Sequence, residues 1–260
     1  MTTVDWSPFV CAHRGASETY PENTLIAFER AAEVGAGWIE TDIQLLADDA
    51  LVVFHDLMLG RTAEGSARVV DLTWEELSPL DVGSWKSPEC TGQRPLRMVD
   101  LLGWQLASSS RPHINWEVKL GPDVTQSEYS RFAKAVARVL EDADSRRHLL
   151  STFDRTFLET ARSVVADIPM ALNVEDLPDD AIDFCLALGL EGIHLDWTTL
   201  TEAQVRSIKK ADLAVRCYTV NDLEAGRRLL DWGVELLMTD RPGPMLDYLC
   251  AHPARPQGLR

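Results

Sequence analysis

Residues 192–240 read GIHLDWTTLTEAQVRSIKKADLAVRCYTVNDLEAGRRLLDWGVELLMTD. Short apolar runs at 192–195, 214–219 and 235–238 have β character, and helical patterns at 202–209 and 223–232 separate them. Strands that alternate with helices build a parallel sheet with helices on its faces. The alternation continues toward the N-terminus, with strands predicted at 9–13, 38–42, 114–119, 148–153 and 170–173. Helical patterns at 24–34, 128–141, 155–165, 179–188 and 245–250 complete the series. Eight such strands in 260 residues match a TIM-type (β/α)8 barrel, which typically takes about 250 residues. An open, doubly wound sheet is the alternative.

Two features break the rhythm. A ninth strand at 51–55 follows Asp42 after a short stretch containing Ala47, Asp48, Asp49 and Ala50. A parallel crossover needs a dozen or more residues, so this connection must be an antiparallel turn. A turn centred between Asp48 and Asp49 sets His55 opposite Asp42. The stretch 57–96 then carries turn signals (Gly60, Gly65, Pro79, Gly83, Pro88, Gly92) and one short helical pattern near 74–77. It reads as a small insertion over one end of the barrel, within a single domain spanning 1–260.

Composition narrows the partners. Lys and Arg number 25 against 41 Asp and Glu, a net charge of −16. Such a surface repels nucleic acid and anionic headgroups. An anionic substrate then requires local positive charge from a metal or from buried Arg or Lys. The five cysteines are scattered and form no CxxC pair, which argues against a disulfide framework or a structural zinc and for a reducing compartment. No run of 18 apolar residues is present, and no basic stretch precedes an apolar one at the N-terminus. The expectation is a cytoplasmic protein without stable membrane association. The segment 252–260, with Pro253 and Pro256, reads as a flexible end, and the oligomeric state is left open.

In such barrels the chemistry lies at the C-terminal ends of the strands. The first strand ends in His13-Arg14-Gly15, the second carries Glu40 and Asp42, the antiparallel strand ends in His55-Asp56, and the third barrel strand carries Glu117 and Lys119. Residues two apart on a strand share a face. Three carboxylates and a lysine aimed into an apolar barrel are costly unless compensated. One divalent cation resolves this, and an all-oxygen set favours Mg2+, Mn2+ or Ca2+. The plainer alternative is salt bridging of the carboxylates by Arg14 and Lys119. His13 and His55 are two of six histidines and end strands beside this cluster. A pair of imidazoles suits phosphodiester cleavage, one taking a proton from the attacking oxygen and the other protonating the leaving alkoxide. Arg14 offers a bidentate fork for phosphate oxygens and Lys119 a point charge. Asn23, in Pro21-Glu22-Asn23-Thr24, reads as a helix N-cap. Asp154, Asp196 and Asp240 read as caps and turn residues. Phe153, Trp197, Tyr218 and Trp85 are candidates for lining a pocket. No GxSxG, P-loop or GxGxxG is present, so triad-hydrolase, NTPase and dinucleotide readings lack support.

Taken together, His13-Arg14-Gly15, Pro21-Glu22-Asn23-Thr24, Glu40-Thr41-Asp42, His55-Asp56 and Asn115-Trp116-Glu117-Val118-Lys119 resemble the glycerophosphodiester phosphodiesterase family. Leu59-Gly60-Arg61-Thr62, Ser151-Thr152-Phe153, Tyr218-Thr219-Val220-Asn221 and Thr239-Asp240-Arg241-Pro242 extend the resemblance over nearly the whole chain. Trp116 and Tyr218 depart from the commoner family residues without removing a chemical group. The resemblance implies metal ligation by Glu40, Asp42 and Glu117, with Mg2+ ahead of Ca2+ or Mn2+. It implies acid–base catalysis by His13 and His55, phosphate binding by Arg14 and Lys119, and release of sn-glycerol 3-phosphate from a glycerophosphodiester. Residues 192–242 look most like the cytosolic bacterial members linked to glycerol-phosphate uptake. Two further readings stand behind this one: phospholipase D-like hydrolysis of lysophospholipids, and a catalytically silent barrel that binds a phosphate ligand.

Overall fold

The computed structural model describes residues 4–165 and 167–253; most of the segment expected to form a flexible end, 254–260, lies outside them. The elements are β1 (Val10–His13), α1 (Leu25–Glu33), β2 (Trp38–Leu45), β3 (Leu51–Val53), α2 (Trp74–Leu77), β4 (Leu96–Arg97), α3 (Met98–Ala107) and β5 (His113–Val118). Then follow α4 (Gln126–Leu140), β6 (His148–Thr152), α5 (Arg155–Arg162), β7 (Met170–Val174), α6 (Ala181–Leu188), β8 (Gly192–Asp196), α7 (Glu202–Lys210), β9 (Ala214–Tyr218), α8 (Leu223–Trp232), β10 (Leu236–Thr239) and α9 (Pro242–Ala251). Strands β1, β2 and β5 to β10 pair in parallel, and the β1–β2 pairing closes the ring. The expected eight-stranded barrel is therefore present, with β3 and β4 added antiparallel outside it.

Local chemistry explains why the helices start where they do. Thr125 with Glu128, and Thr201 with Gln204, form reciprocal capping boxes at α4 and α7, satisfying backbone N–H groups that a helix start leaves unpaired. Asp154 and Asp222 cap α5 and α8 by accepting from backbone N–H groups three residues on. Most of the helices then turn an apolar stripe onto the outward faces of the strands. Phe28, Ile39, Ile114, Trp116, Phe132 and Phe157 belong to this continuous core and are fully buried or nearly so. Each such side chain contributes about 1.5–3 kcal/mol by leaving water.

The barrel interior is different. Cys11, Leu236 and Met238 form a small apolar cluster of their own. Asn115, Ser151, Asn173, His194 and Arg216 are also buried, and each has at least one polar atom without a protein partner. Asn173, His194 and Arg216 stand level on three successive strands.

Three sequence expectations are corrected. The β2–β3 hairpin pairs Ile43 with Val53, and the Phe54 N–H donates to the Asp42 carbonyl at 3.0 Å. Phe54, not His55, therefore faces Asp42. The reason is a three-residue turn centred on Asp48: the Leu46 N–H reaches the Ala50 carbonyl, and Asp49 takes φ of 66°. Next, β4 and α3 were not anticipated. Helix α3 buries Met98, Leu101 and Leu102 but also exposes Val99 and Leu106, so its apolar residues trace no single stripe. Finally, Asn23 is not the cap of α1. Thr24 occupies that position, and Asn23 takes φ of 59° with its side chain turned inward. The stretch between β3 and β4 packs a satellite core of Leu46, Val52, Phe54, Val69, Leu77 and Val82. Lys86 ties it to the β1 loop by donating to the Ser17 carbonyl at 2.6 Å.

Candidate active site

The loop after β1 is shaped by backbone conformation. Arg14 has φ of 56° and Gly15 φ of 86°. A Cβ at Gly15 would lie 2.7 Å from Ala27 backbone and side-chain atoms, so glycine alone fits this approach. The turn aims the Arg14 N–H at Glu40, where it donates to the main-chain carbonyl at 2.9 Å and to Oε2 at 3.1 Å.

Glu40 and Asp42 are wholly buried on β2, and Asp42 pairs in register with Glu117 on β5. One carboxylate oxygen from each of Glu40, Asp42 and Glu117 can be chosen so that all lie within 4.8 Å of one another. Arg14 Nε approaches Asp42 Oδ2 at 3.2 Å and Lys119 Nζ approaches Asp42 Oδ1 at 3.3 Å, neither aligned as a hydrogen bond. Lys119 also donates to Glu117 Oε1. The salt bridges foreseen as the plainer alternative thus exist, yet they do not complete the site. Glu40 Oε1 and Asp42 Oδ1 remain without hydrogen-bond partners in the interior. Unsatisfied carboxylate oxygens in a compact all-oxygen cluster are what a hard divalent cation requires, so the residues present fit such an ion.

The electrostatics agree. Burial, then the neighbouring charges of Asp42 and Glu117, raises Glu40 well above the usual carboxylate range. Burial works against the charge on Asp42 as well. Arg14, Lys119, His55 and the Asn23 hydrogen bond outweigh it and hold Asp42 well below that range. Arg14 and Lys119 are largely but not wholly buried and stay firmly charged, because the surrounding carboxylates overcome desolvation. Two fixed cations therefore face three carboxylates, and Glu40 is the one left short of positive charge.

Both predicted histidines lie at this end of the barrel. His13 Nδ1 is 2.7 Å from Asp240 Oδ1, and its Nε2 is 3.8 Å from Glu40 Oε2. His55 Nδ1 is 2.6 Å from Asp56 Oδ1. The Gln44 side-chain amide donates to the carbonyls of Phe54 and Asp56 and so fixes the backbone on either side of His55. Arg61 forks onto both Asp56 and Glu22, and Glu22 in turn accepts from Arg14 at 2.9 Å. A chain of alternating charges thus links the two histidine-bearing loops.

The aromatic candidates separate. Phe153 is exposed at the mouth, edge-on to Tyr218 with centroids 5.9 Å apart, and Lys119 Nζ sits 5.8 Å from its ring. The Tyr218 hydroxyl donates to the Val174 carbonyl at 2.8 Å, and Trp197 Nε1 donates to the Thr219 carbonyl at 3.1 Å. Trp85 stands on the insertion with Arg61 and Lys86 over its ring. Asp154 and Asp196 are the cap and turn residues expected of them. Asp240 is not: it binds His13, Ser17 and Asn221. Sequence reasoning also missed the contribution of Asp56, Asn23 and Asn221. The one available signal was their membership of the quoted motifs.

Comparison with known proteins places the chain among relatives of one family. The model of the glycerophosphoryl diester phosphodiesterase family matches residues 13–244. A glycerophosphodiester phosphodiesterase of Caldanaerobacter subterraneus is 29% identical over 240 residues, covering 92% of this chain and 97% of that protein. Among solved structures, an Oleispira antarctica phosphodiesterase in complex with the product sn-glycerol-3-phosphate is 28% identical, with a TM-score of 0.86 over 94% of this chain and 97% of its own. The glycerophosphodiester phosphodiesterase of Agrobacterium tumefaciens, 24% identical with a TM-score of 0.76 over 92% of this chain and 99% of its own, shares the fold. With its family match spanning nearly all of the barrel and both histidine loops, the chain belongs to the glycerophosphoryl diester phosphodiesterase family.

Proposed function

We propose that the protein hydrolyses glycerophosphodiesters to sn-glycerol 3-phosphate and an alcohol. The observation that carries this reading is the pair of carboxylate-bound histidines beside a buried acidic triad. With Nδ1 engaged by a carboxylate, each ring keeps Nε2 for the reaction. One ring accepts the proton of the attacking water as its oxygen bonds to phosphorus. The other donates a proton to the alkoxide as the P–O bond breaks. Arg14 and Lys119 hold phosphate oxygens. Glu40, Asp42 and Glu117 would hold one divalent cation, Mg2+ ahead of Ca2+ or Mn2+, and an ion bound there supplies neutralisation of charge on the phosphoryl oxygens. Phe153, Trp197 and Tyr218 line the side of the mouth that receives the substrate.

In this reading the chain forms a single barrel domain, with 57–96 as its insertion, and acts in the cytoplasm on soluble substrates. Five free cysteines support the compartment. Among the described residues no helix is long and apolar enough to cross a membrane.

The test is release of glycerol 3-phosphate from glycerophosphocholine and glycerophosphoethanolamine, using EDTA-stripped protein resupplied with Mg2+ or Ca2+. Release restored by metal is expected. Folded protein that releases nothing with either ion would rule the reading out.

One observation favours a second substrate class. A groove lined by His55 and Lys119 continues along Leu57, Met58, Leu59 and Leu120, with Leu57 and Met58 exposed. An acyl chain of a lysophospholipid fits such a wall. Preference for the acylated over the deacylated diester in the same assay selects that class.

A further inference from the structure

We propose that Asn221 is a positioning residue for the reaction, acting through Asp240 to fix the ring of His13. The inference rests on the reading of His13 as a proton-transfer group.

One construction occurs twice in the fold. Strand β1 lies between β2 and β10 in the ring. Each of those neighbours carries a Thr-Asp pair at the level of the site, Thr41-Asp42 within β2 and Thr239-Asp240 at the end of β10. Each pair is clasped by an asparagine from the loop after the preceding ring strand, Asn23 after β1 and Asn221 after β9. The Oδ1 of Asn23 accepts from Thr41 Oγ1 at 2.8 Å and lies 3.5 Å from the Asp42 nitrogen, while its Nδ2 donates to Asp42 Oδ2 at 2.8 Å. The Oδ1 of Asn221 accepts from Thr239 Oγ1 at 3.0 Å and from the Asp240 N–H at 2.9 Å, while its Nδ2 donates to Asp240 Oδ2 at 2.7 Å. The atoms used are the same at both places. A backbone N–H on one side and a carboxylate on the other also settle which end of each amide is oxygen.

The consequence is the same at both places. The asparagine takes Oδ2 and leaves Oδ1 for the site. Asp42 Oδ1 is one of the unpartnered oxygens of the triad. Asp240 Oδ1 receives His13 Nδ1 at 2.7 Å and Ser17 Oγ at 2.9 Å. A carboxylate only accepts, so the imidazole proton sits on Nδ1. The Nε2 lone pair then faces the triad, 3.8 Å from Glu40 Oε2. Without Asn221, only Ser17 and His13 itself would hold the Asp240 carboxylate, through Oδ1, so it could turn away from Nδ1 and the other tautomer of His13 would become accessible.

The test uses the full chain loaded with Mg2+. Asn221→Ala and the near-isosteric Asn221→Asp should lower kcat by about 10–100-fold, with KM little changed. Asp240→Asn should lower it by roughly 10²-fold or more, since an amide there can donate to Nδ1 and drive the ring proton to Nε2. The deciding readout is the 15N shift of the His13 ring nitrogens in histidine-labelled protein at alkaline pH. It should report the Nδ1–H form in the native protein, a mixture in Asn221→Ala and the Nε2–H form in Asp240→Asn. A native kcat in both Asn221 variants overturns the proposal. So does a loss of kcat without a change of tautomer, since a merely loosened loop would give that. His13→Ala separates the two levels: if it keeps turnover, the reading of His13 fails, whereas if it loses turnover while the Asn221 variants keep theirs, only the role of Asn221 fails.

Discussion

At the scale of single residues, the site sets function against solvation. Glu40 and Asp42 are wholly buried carboxylates, a placement that is costly without compensation. Arg14 and Lys119 compensate in part. His13→Ala and His55→Ala should each reduce turnover by about 10²-fold or more, with the urea unfolding midpoint nearly unchanged. Near-native turnover in either variant would remove that ring from the mechanism. These residues were readable in the chain because they come as close neighbours: His13 beside Arg14, Glu40 two before Asp42, Glu117 two before Lys119. Strand periodicity alone puts the members of each of the last two pairs on one face. Asp240 was not readable in the same way. It is 227 residues from His13, and the contact between them exists because β10 closes the ring against β1.

At the scale of elements, the β1–α1 loop is the device that converts a strand end into a site. Left-handed conformations at Arg14, Gly15 and Asn23 turn the chain so that one short loop contributes the Arg14 fork, the Glu22 contact and the Asn23 clasp. Gly15→Ala should lower the free energy of unfolding by more than about 1 kcal/mol, measured by urea titration, because the new Cβ has both an unfavourable φ and a clash with Ala27. An unchanged midpoint would show that the loop can relax at no cost. The hairpin teaches a related lesson. Its existence followed from a connection too short for a crossover, but its register depended on a three-residue turn with Asp49 in the left-handed region. Composition does not distinguish that turn from a two-residue one. Likewise α3 is not legible in the sequence, because Val99 and Leu106 face solvent and blur the apolar stripe that identifies a surface helix.

At the scale of the whole molecule, the interior holds polar groups as well as apolar ones, both inside the barrel and between its strands and helices. Burial, aided by the charges of His113 and Arg147 and opposed by Asp144, lowers His148 to about 4. Burial and Arg216 hold His194 well below the ordinary histidine range. Both rings are therefore neutral in the folded state and become protonated more readily when unfolded. The stability that His148 contributes is fully present above the unfolded value, about 6.5, and is lost as pH falls toward about 4; His194 acts in the same direction. His148 Nδ1 accepts from Trp116 Nε1 at 3.2 Å, and His148→Gln keeps an acceptor there while removing the titration. The expected outcome is a smaller drop in urea midpoint between about pH 6.5 and pH 4 than in the native protein. Equal drops in the two proteins would exclude His148 as a source of acid lability.

The sequence by itself determined the barrel, the hairpin added to it, and the residues that carry charge at its mouth. These are consequences of local periodicity, connection length and spacing within a strand, all of which act over a few residues. Only the tertiary structure decided which groups complete one another. The Asn23 and Asn221 clasps, the Asp240 partner of His13 and the bridge from Arg61 to Glu22 join segments that the chain keeps apart. A hydrogen bond depends on distances of tenths of an ångström and on direction, and for residues this far apart in sequence those are set by closure of the ring rather than by any local preference.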